Sequence, residues 1–312
     1  MRIFIAGAGG AIGRRLVPML VDGGHHVVGT TRSPGGAGTV RDMGAEAVVV
    51  DALDKKAILD AVVEAEPEVV ISQLTALGGP TDLRNFDRSF AATNELRQRG
   101  TDLLLAAAVE AGARRYLAQS YTGWSNPRHG GAVKTEADGL DPAPEPRTRE
   151  SLAAIAHLER VVTDATDIEG LALRYGMIYG TGTAFGHGGE IVEAVAKRKM
   201  PIVGNGAGVW SFVHADDAAA ATVAALDRGA PGVYNIVDDE PAPVSEWLPA
   251  LADAIGAKPP RRVPVWLVRP MLGSHGVSLM TQVRGASNAR AKRDLEWAPQ
   301  VPTWREGFRQ GL

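Results

Sequence analysis

The sequence predicts an α/β fold doubly wound around a parallel sheet, and three observations carry that prediction. A glycine-rich turn, Gly7-Ala8-Gly9-Gly10-Ala11-Ile12-Gly13, stands directly behind the apolar run Ile3-Phe4-Ile5-Ala6. Short apolar runs then alternate with helix-patterned stretches through the first half of the chain, the rhythm of parallel strands joined by crossover helices. The runs end at Gly7, Arg32, Asp51, Thr75, Ser120 and Tyr175. In such a sheet these positions share one crevice beyond the carboxyl ends of the strands, where ligands bind.

Taken in order, the first element is the most explicit. A strand that turns at once into a helix needs unusual backbone angles, and a pyrophosphate needs bare backbone to lie against. Gly7 supplies the tight turn, Gly9 or Gly10 the close approach, and Gly13 the packing of helix on strand. The amides of Ala11, Ile12 and Gly13 then face the phosphates with the positive end of the helix dipole. Ile12, Leu16, Val17 and Leu20 give the next segment an apolar face, which is the context this motif requires. Pro18 inside it removes a helix hydrogen bond and is expected to kink it.

The second run, His26-Val27-Val28-Gly29-Thr30-Thr31, leads into Arg32-Ser33. An acidic residue here would bind the ribose 2′-hydroxyl of NAD. A guanidinium flanked by the hydroxyls of Thr31 and Ser33 suits a 2′-phosphate instead. NADP is therefore the expected cofactor and NAD the alternative. The competing reading makes Arg32 an ordinary surface charge or a stacking partner for adenine.

Val48-Val49-Val50 ends at Asp51, and Val69-Val70-Ile71 follows Pro67 and leads into Gln73-Leu74-Thr75-Ala76. Tyr116 to Ser120 follows a helical stretch from Thr101 to Glu110, and Leu171 to Arg174 follows a helix near 149–165. Between 123 and 148 glycines and prolines read as a long loop over the crevice mouth. The second half is less regular, with Gly180, Gly182, Gly186, Gly188 and Gly189 marking an irregular stretch and Asp216 to Leu226 an alanine-rich helix. The expected division is a nucleotide-binding domain over 1–174, rejoined by a strand near 233–237, and a smaller, interleaved C-terminal substrate domain over 175–312.

Composition narrows the partners. A net charge of −3 argues against nucleic acid or an anionic membrane as the main partner, which leaves a small-molecule substrate. The absence of cysteine removes disulfides, thiol nucleophiles and cysteine metal sites. No run of about 18 apolar residues suggests a transmembrane helix. The first strand starts at residue 2, leaving no room for a signal peptide, so the cytoplasm is the expected location. No spacing of the His-Glu-x-x-His kind points to a metal.

Together these motifs resemble the extended short-chain dehydrogenase/reductase family, the NAD(P)-dependent epimerase/dehydratase group, over essentially the whole chain. The resemblance implies a Rossmann-type domain with Gly7, Gly10 and Gly13 as its cofactor glycines. It places Asp51 and Ala52 at the adenine and Leu74-Thr75-Ala76 beneath the nicotinamide ribose. Asn94 with Gly100-Thr101 is similar to the family's fourth-helix motif, and Ser120 falls at its catalytic Ser/Thr position. Leu173 to Gly180 is similar to the segment entering the substrate domain. Phe212 to Asp217, Val233 to Ile236 and Ala289 to Pro299 continue the likeness. A homodimer is the assembly this resemblance leaves open.

Two departures weigh against a simple transfer of function. The family's Tyr-x-x-x-Lys-x-x-x-Glu helix aligns on Ser151, Ile155 and Glu159, and no tyrosine lies between 122 and 174. The tyrosine normally exchanges a proton with the substrate oxygen, its pKa lowered by the lysine. Trp210 stands where nucleotide-sugar members carry a diphosphate-binding arginine, which argues for an apolar or aromatic substrate.

The proton must then come from elsewhere. Tyr121 and Tyr175 are candidate donors, Ser120 a candidate holder of a substrate carbonyl, and Lys134 a candidate for orienting substrate or lowering a tyrosine pKa. Each has a structural alternative: a core tyrosine, a satisfied hydroxyl, a solvated lysine. His214 reads as structural, His157 as a helix surface residue with a minor claim on chemistry, and His187 equally as a residue that reaches substrate or as loop surface. Trp124, Met177, Phe185 and Trp210 are the expected substrate wall. The leading reading is an NADP-dependent oxidoreductase acting on a small, apolar carbonyl or activated alkene. An NAD(P)-dependent epimerase/dehydratase, with a nucleotide sugar as one substrate, and a non-catalytic NADP sensor are the alternatives.

Overall fold

The computed structural model describes residues 1–78 and 81–312. Strand β1 (Arg2–Ala6) runs into helix α1 (Gly13–Asp22), which buries Leu16, Val17 and Leu20 and continues unbroken through Pro18. β2 (His26–Thr31) is followed by α2 (Pro34–Asp42), where Ser33 accepts a hydrogen bond from the Gly36 amide and Pro34 takes the first turn, a favourable helix start. β3 (Glu46–Val49) precedes α3 (Lys55–Ala65), capped by the Asp54 carboxylate on the amides of Lys56 and Ala57. β4 (Val69–Ser72) is buried throughout. A helical stretch follows as α4 (Phe86–Ser89), α5 (Ala91–Glu95), a π turn at Leu96–Gly100 and α6 (Thr101–Glu110). β5 (Arg115–Tyr121) closes the first half.

Residues 123–148 are more ordered than a plain loop. They contain β6 (Val133–Lys134) and two short 3-10 turns. Arg128 fastens the segment to Asp141 (2.9 Å), to Glu145 and to the carbonyl of Ala143. α7 (Arg149–Thr163) and β7 (Glu169–Tyr175) return the chain to the sheet.

Beyond β7 come β8 (Met177–Tyr179), α8 (Glu190–Ala196), β9 (Ile202–Val203), β10 (Val209–Trp210), β11 (Phe212–His214) and α9 (Ala215–Ala224). β12 (Gly232–Ile236), β13 (Ala242–Pro243), α10 (Val244–Ala254) and β14 (Arg262–Val263) follow. α11 (Val265–Thr281) is interrupted at Gly273, whose φ is 69°, and β15 (Gly285–Ala286) pairs with β6. α12 (Ala289–Asp294) and α13 (Trp304–Gln310) complete the chain.

The main sheet has seven strands in the order β12-β7-β5-β4-β1-β2-β3, all parallel. The order reverses between β1 and β4, which is where a ligand crevice opens in such a sheet. One face packs Leu16, Val17 and Leu20 of α1 with Ala218 and Ala221 of α9. The other packs Ile58, Val62, Leu104 and Leu158. β12 pairs with β7 at the edge of this sheet, where the sequence places a returning strand, and α9 packs on the same face as α1. A third core in the second half gathers Phe185, Trp210, Phe212, Trp247 and Trp304.

One buried ion pair ties three of these elements together. Glu159 of α7 accepts from Arg174 of β7 at 2.7 and 2.6 Å and from the Ser120 hydroxyl of β5 at 2.6 Å. Removing one partner leaves an uncompensated buried charge. Glu159→Ala is therefore expected to lower stability by about 3–5 kcal/mol, read from urea unfolding. A loss within error of zero would show that Arg174 finds another partner.

Candidate active site

The glycine turn has the geometry of a pyrophosphate cradle. Gly7 adopts φ +91°, and a Cβ there would stand 2.7 Å from the Gln73 carbonyl; one on Gly13 would stand 2.3 Å from that of Ala8. Side chains are therefore excluded at both positions, while a Cβ on Gly9 would meet nothing within 4 Å. Ile12, the N-cap of α1, offers no side-chain acceptor. Open space thus lies at Gly9 and exposed backbone at Ala11, beside the helix start, which is what a dinucleotide phosphate needs.

Around this turn, Arg32 is exposed at the end of β2. The Ser33 hydroxyl oxygen accepts from Gly36 N (3.2 Å) and the Thr31 hydroxyl oxygen from Ser33 N (3.5 Å), which leaves both hydroxyl protons to give. The Asp51 carboxylate accepts from Leu53 N (2.9 Å), and Ala52 is buried behind it. Leu74, Thr75 and Ala76 are half-buried, with the Ala76 amide donating to Thr93 Oγ1 (3.1 Å). Asn94 differs from expectation. It is buried, and its amide donates to Ser151 Oγ (3.0 Å), so this group points at α7 and not at a cofactor.

The same α7 occupies the position of the expected proton relay. Ser151 and Ile155 are both fully buried. The Ser151 hydroxyl donates to Asp87 Oδ1 (2.6 Å) and its amide to the same oxygen (2.8 Å). Nothing on this helix face offers a proton to the crevice. His157 is half-buried, with Nε2 at 2.7 Å from Asp102.

Several expected site residues are reassigned by their surroundings. The Tyr175 hydroxyl is not a proton donor to substrate: it lies in the core against Thr222 Oγ1 (2.6 Å) and Gln73 Nε2 (3.1 Å), its pKa pushed up to about 12 by burial. Ser120 gives its hydroxyl to Glu159, so it does not hold a substrate carbonyl. Lys134 is buried on β6 with its ammonium 3.3 Å from Asp138, paired with an acid and not with a tyrosine. Phe185 and Trp210 belong to the third core. Phe185 packs edge-on against Trp247 (5.9 Å), and Trp210 donates its indole N–H to the Leu279 carbonyl (2.8 Å). Both are buried there, so neither is free to form the expected substrate wall. His214 caps α9 by accepting from Asp216 N (3.3 Å), and His187 is exposed.

Tyr121, Trp124 and Met177 remain. Tyr121 stacks on Trp124 with ring centroids 6.0 Å apart, and its hydroxyl lies 2.6 Å from where a Cβ on Gly123 would stand. Burial raises its pKa, and the Trp124 amide bonded to its oxygen opposes that. Met177, in the first strand after Tyr175, is half-buried.

No sequence motif marks the partners of Trp124. Phe86 stacks on Phe90 (4.2 Å), meets Trp124 edge-on (5.1 Å) and touches His275 (4.4 Å), which in turn meets Trp124 (5.7 Å). These rings come from α4, the loop after β5 and α11, and no sequence spacing links them. A cavity of about 460 Å³ nearby is lined by Arg128, His129, Thr281, Gln282 and Arg284.

Residues 3–237 match the model of the NAD dependent epimerase/dehydratase family. The chain is 42% identical over 308 residues to a 3-diazoavenalumate denitrifying reductase of a Streptomyces species, covering 99% of each protein. It is 27% identical over 271 residues to a 2-alkyl-3-oxoalkanoate reductase of Stenotrophomonas maltophilia, covering 82% of this chain and 76% of that protein. Among solved structures, a UDP-glucose 4-epimerase of Thermotoga maritima superposes with a TM-score of 0.77 at 20% identity, covering 99% of this chain and 96% of that one. That likeness is one of fold.

The buried imidazole makes stability depend on pH. His275 has its pKa pushed down to about 4 by burial, opposed by the charges of Glu145 and Asp87. An unfolded histidine titrates near 6.5. Between these values the unfolded chain takes up a proton that the folded chain refuses, so stability falls on acidification from about pH 6.5 to about pH 4, by up to about 1.4 kcal/mol per pH unit. His275→Phe is expected to flatten that part of the curve of Tm against pH. Parallel curves for the two proteins would assign the slope to another group.

Proposed function

The chain belongs to the NAD-dependent epimerase/dehydratase family, and on that premise we propose that it is an NADPH-dependent reductase of a flat, electrophilic aromatic compound, with diazo compounds the best-fitting substrate class. The observation that carries this reading is the burial of Ser151 and Ile155 where a tyrosine and lysine would otherwise relay a proton. Reduction of a carbonyl needs a proton on oxygen as the hydride arrives. Reduction of an arenediazonium does not. The hydride pair becomes the new C–H bond, the C–N pair leaves with neutral dinitrogen, and the positive charge of the substrate is discharged. The 42% identical relative, a denitrifying reductase of a diazo compound by name, supports the same chemistry.

NADPH, when bound, supplies the hydride. The protein supplies position. The Gly7–Gly13 turn holds the pyrophosphate through the Ala11–Gly13 amides, and Asp51 and Ala52 flank the adenine. Arg32 pairs with the 2′-phosphate, aided by the hydroxyl protons of Thr31 and Ser33. Leu74, Thr75 and Ala76 underlie the nicotinamide ribose. Trp124 and Tyr121 receive the substrate ring, backed by Phe86, and Met177 closes the side next to β7. These aromatic groups exclude water, which protects a reactive acceptor from hydrolysis.

A second reading is reduction of an apolar carbonyl with Tyr121 as proton donor. Its support is the place of Tyr121 beside Trp124 and the 27% identical oxoalkanoate reductase. An epimerase or dehydratase needs a base to begin oxidation, and α7 provides none. A silent sensor leaves the aromatic recess without a use.

The first test is consumption of NADPH deuterated at the transferred position, with an arenediazonium salt as acceptor and dinitrogen followed by mass spectrometry against an enzyme-free control. Enzyme-dependent dinitrogen release with deuterium on the arene is expected. Turnover of ketones or enones, with diazo reduction no faster than the control, would transfer the assignment to the second reading. Arg32→Ala is expected to weaken NADPH by about 1–3 kcal/mol, the range for a lost hydrogen bond to a charged group, and to leave NADH unchanged in direct titrations. Equal losses would remove the 2′-phosphate contact.

A further inference from the structure

Beside the stacked Tyr121 and Trp124 lies a buried cation that makes no ion pair among the described residues. Arg97 sits on the π turn Leu96–Gly100, an irregularity found frequently at functional sites, and that turn packs against α7. Arg97 is only 7% exposed. Among the described residues it makes no ion pair, and its Nη1 is shut off from solvent with no acceptor. The charged or titratable groups that act on it are Tyr121 and Glu159. Glu159 is already held by both nitrogens of the Arg174 fork and by Ser120. Two guanidinium groups thus share one carboxylate, and one positive charge is left over. Tyr121 does not supply the missing anion, because burial raises its pKa and keeps it neutral.

A desolvated charge without a partner is costly, and burial here pushes the Arg97 pKa down to about 10. The guanidinium still carries its charge at neutral pH. Its location, next to Tyr121 at the carboxyl end of β5, puts that charge beside the stacked rings of Tyr121 and Trp124.

We propose that Arg97 binds the ionised oxygen of the substrate, so that the site selects an aromatic ring bearing a phenolate. This rests on the reading of the recess as the substrate site and deepens it. A phenolate pairs with the leftover charge, whereas the neutral phenol leaves the guanidinium uncompensated, so the site discriminates between two forms of one molecule. Pairing holds electron density on the oxygen, which offsets part of the donation of the phenolate into the ring.

4-Nitrophenol tests this directly, because its phenolate is coloured and its phenol is not. The protein, saturated with NADP, is titrated with it across its ionisation range. The wild type is expected to bind the phenolate at least about 10-fold more tightly than the phenol, as for a hydrogen bond to a charged group. Arg97→Met is expected to erase that preference and Arg97→Lys to retain part of it. Trp124→Ala is expected to weaken both forms alike and leave their ratio intact. Equal binding of the two forms by the wild type, or an undiminished preference in Arg97→Met, overturns the proposal. NADP affinity of each variant reports whether it is folded, and where Arg97→Met is not, the wild-type ratio and Arg97→Lys decide. Phenolate preference without any diazo turnover would overturn the functional reading and leave this inference standing.

Discussion

The carboxylate of Glu159 is the constraint on which the catalytic end of this molecule depends. It joins α7 to β7 through Arg174 and to β5 through Ser120, at the point where β5 and β7 lie side by side in register from Arg115 to Tyr121. A pair buried this deeply gains stability only when its remaining acceptor sites are filled, and the Ser120 hydroxyl fills one. The cost is that Ser120 is withdrawn from any substrate. A residue type that chemistry would use has been absorbed into structure, and the site must be built from what lies around it.

The same exchange is repeated along α7. Asn94, Ser151 and Asp87 form a polar chain at its start, and Ile155 fills the core one turn later. A tyrosine and lysine in these two places would need room and solvent that this packing does not leave. The helix therefore acts as a wall. What remains at the crevice is aromatic surface from α4, the loop after β5 and α11, with a leftover positive charge at Arg97. Such a combination suits a flat acceptor better than a proton transfer, which is the physical basis for the proposed acceptor with a neutral leaving group.

How much was legible in the sequence follows from how local each feature is. The Gly7–Gly13 turn, the strand before it and the alternation of elements are set by neighbours in the chain, and the seven-stranded sheet agrees with them. Side-chain roles were harder because burial is decided by distant segments. Tyr175 ends a strand at the crevice side, yet its ring turns to α9 and meets Thr222, 47 residues away. Lys134 reads as a loop lysine until β15, far along the chain, pairs with its strand. Phe185 and Trp210 have the composition of a pocket wall and the packing of a core. His275 carries no motif at all. Arg97 lay within the fourth-helix motif that drew attention to Asn94, and only the π turn and the prior engagement of Glu159 separate their roles.

The distinction between an acid and a fixed cation has a consequence for the kind of reaction this fold supports here. A tyrosine donor is discharged in each turnover and must be recharged from solvent, so it ties the site to water and to substrates whose product carries the proton. A guanidinium loses nothing in the reaction and functions best where water is excluded. It can stabilise an oxygen that is already ionised in the bound state, but it cannot complete a ketone reduction alone. On the proposed reading, a family scaffold that keeps its pyrophosphate-binding turn while carrying Ser151 and Ile155 in place of the tyrosine–lysine pair has changed its substrate requirement at its source. On that reading the acceptor brings its own charge, or its own leaving group, because α7 brings no proton.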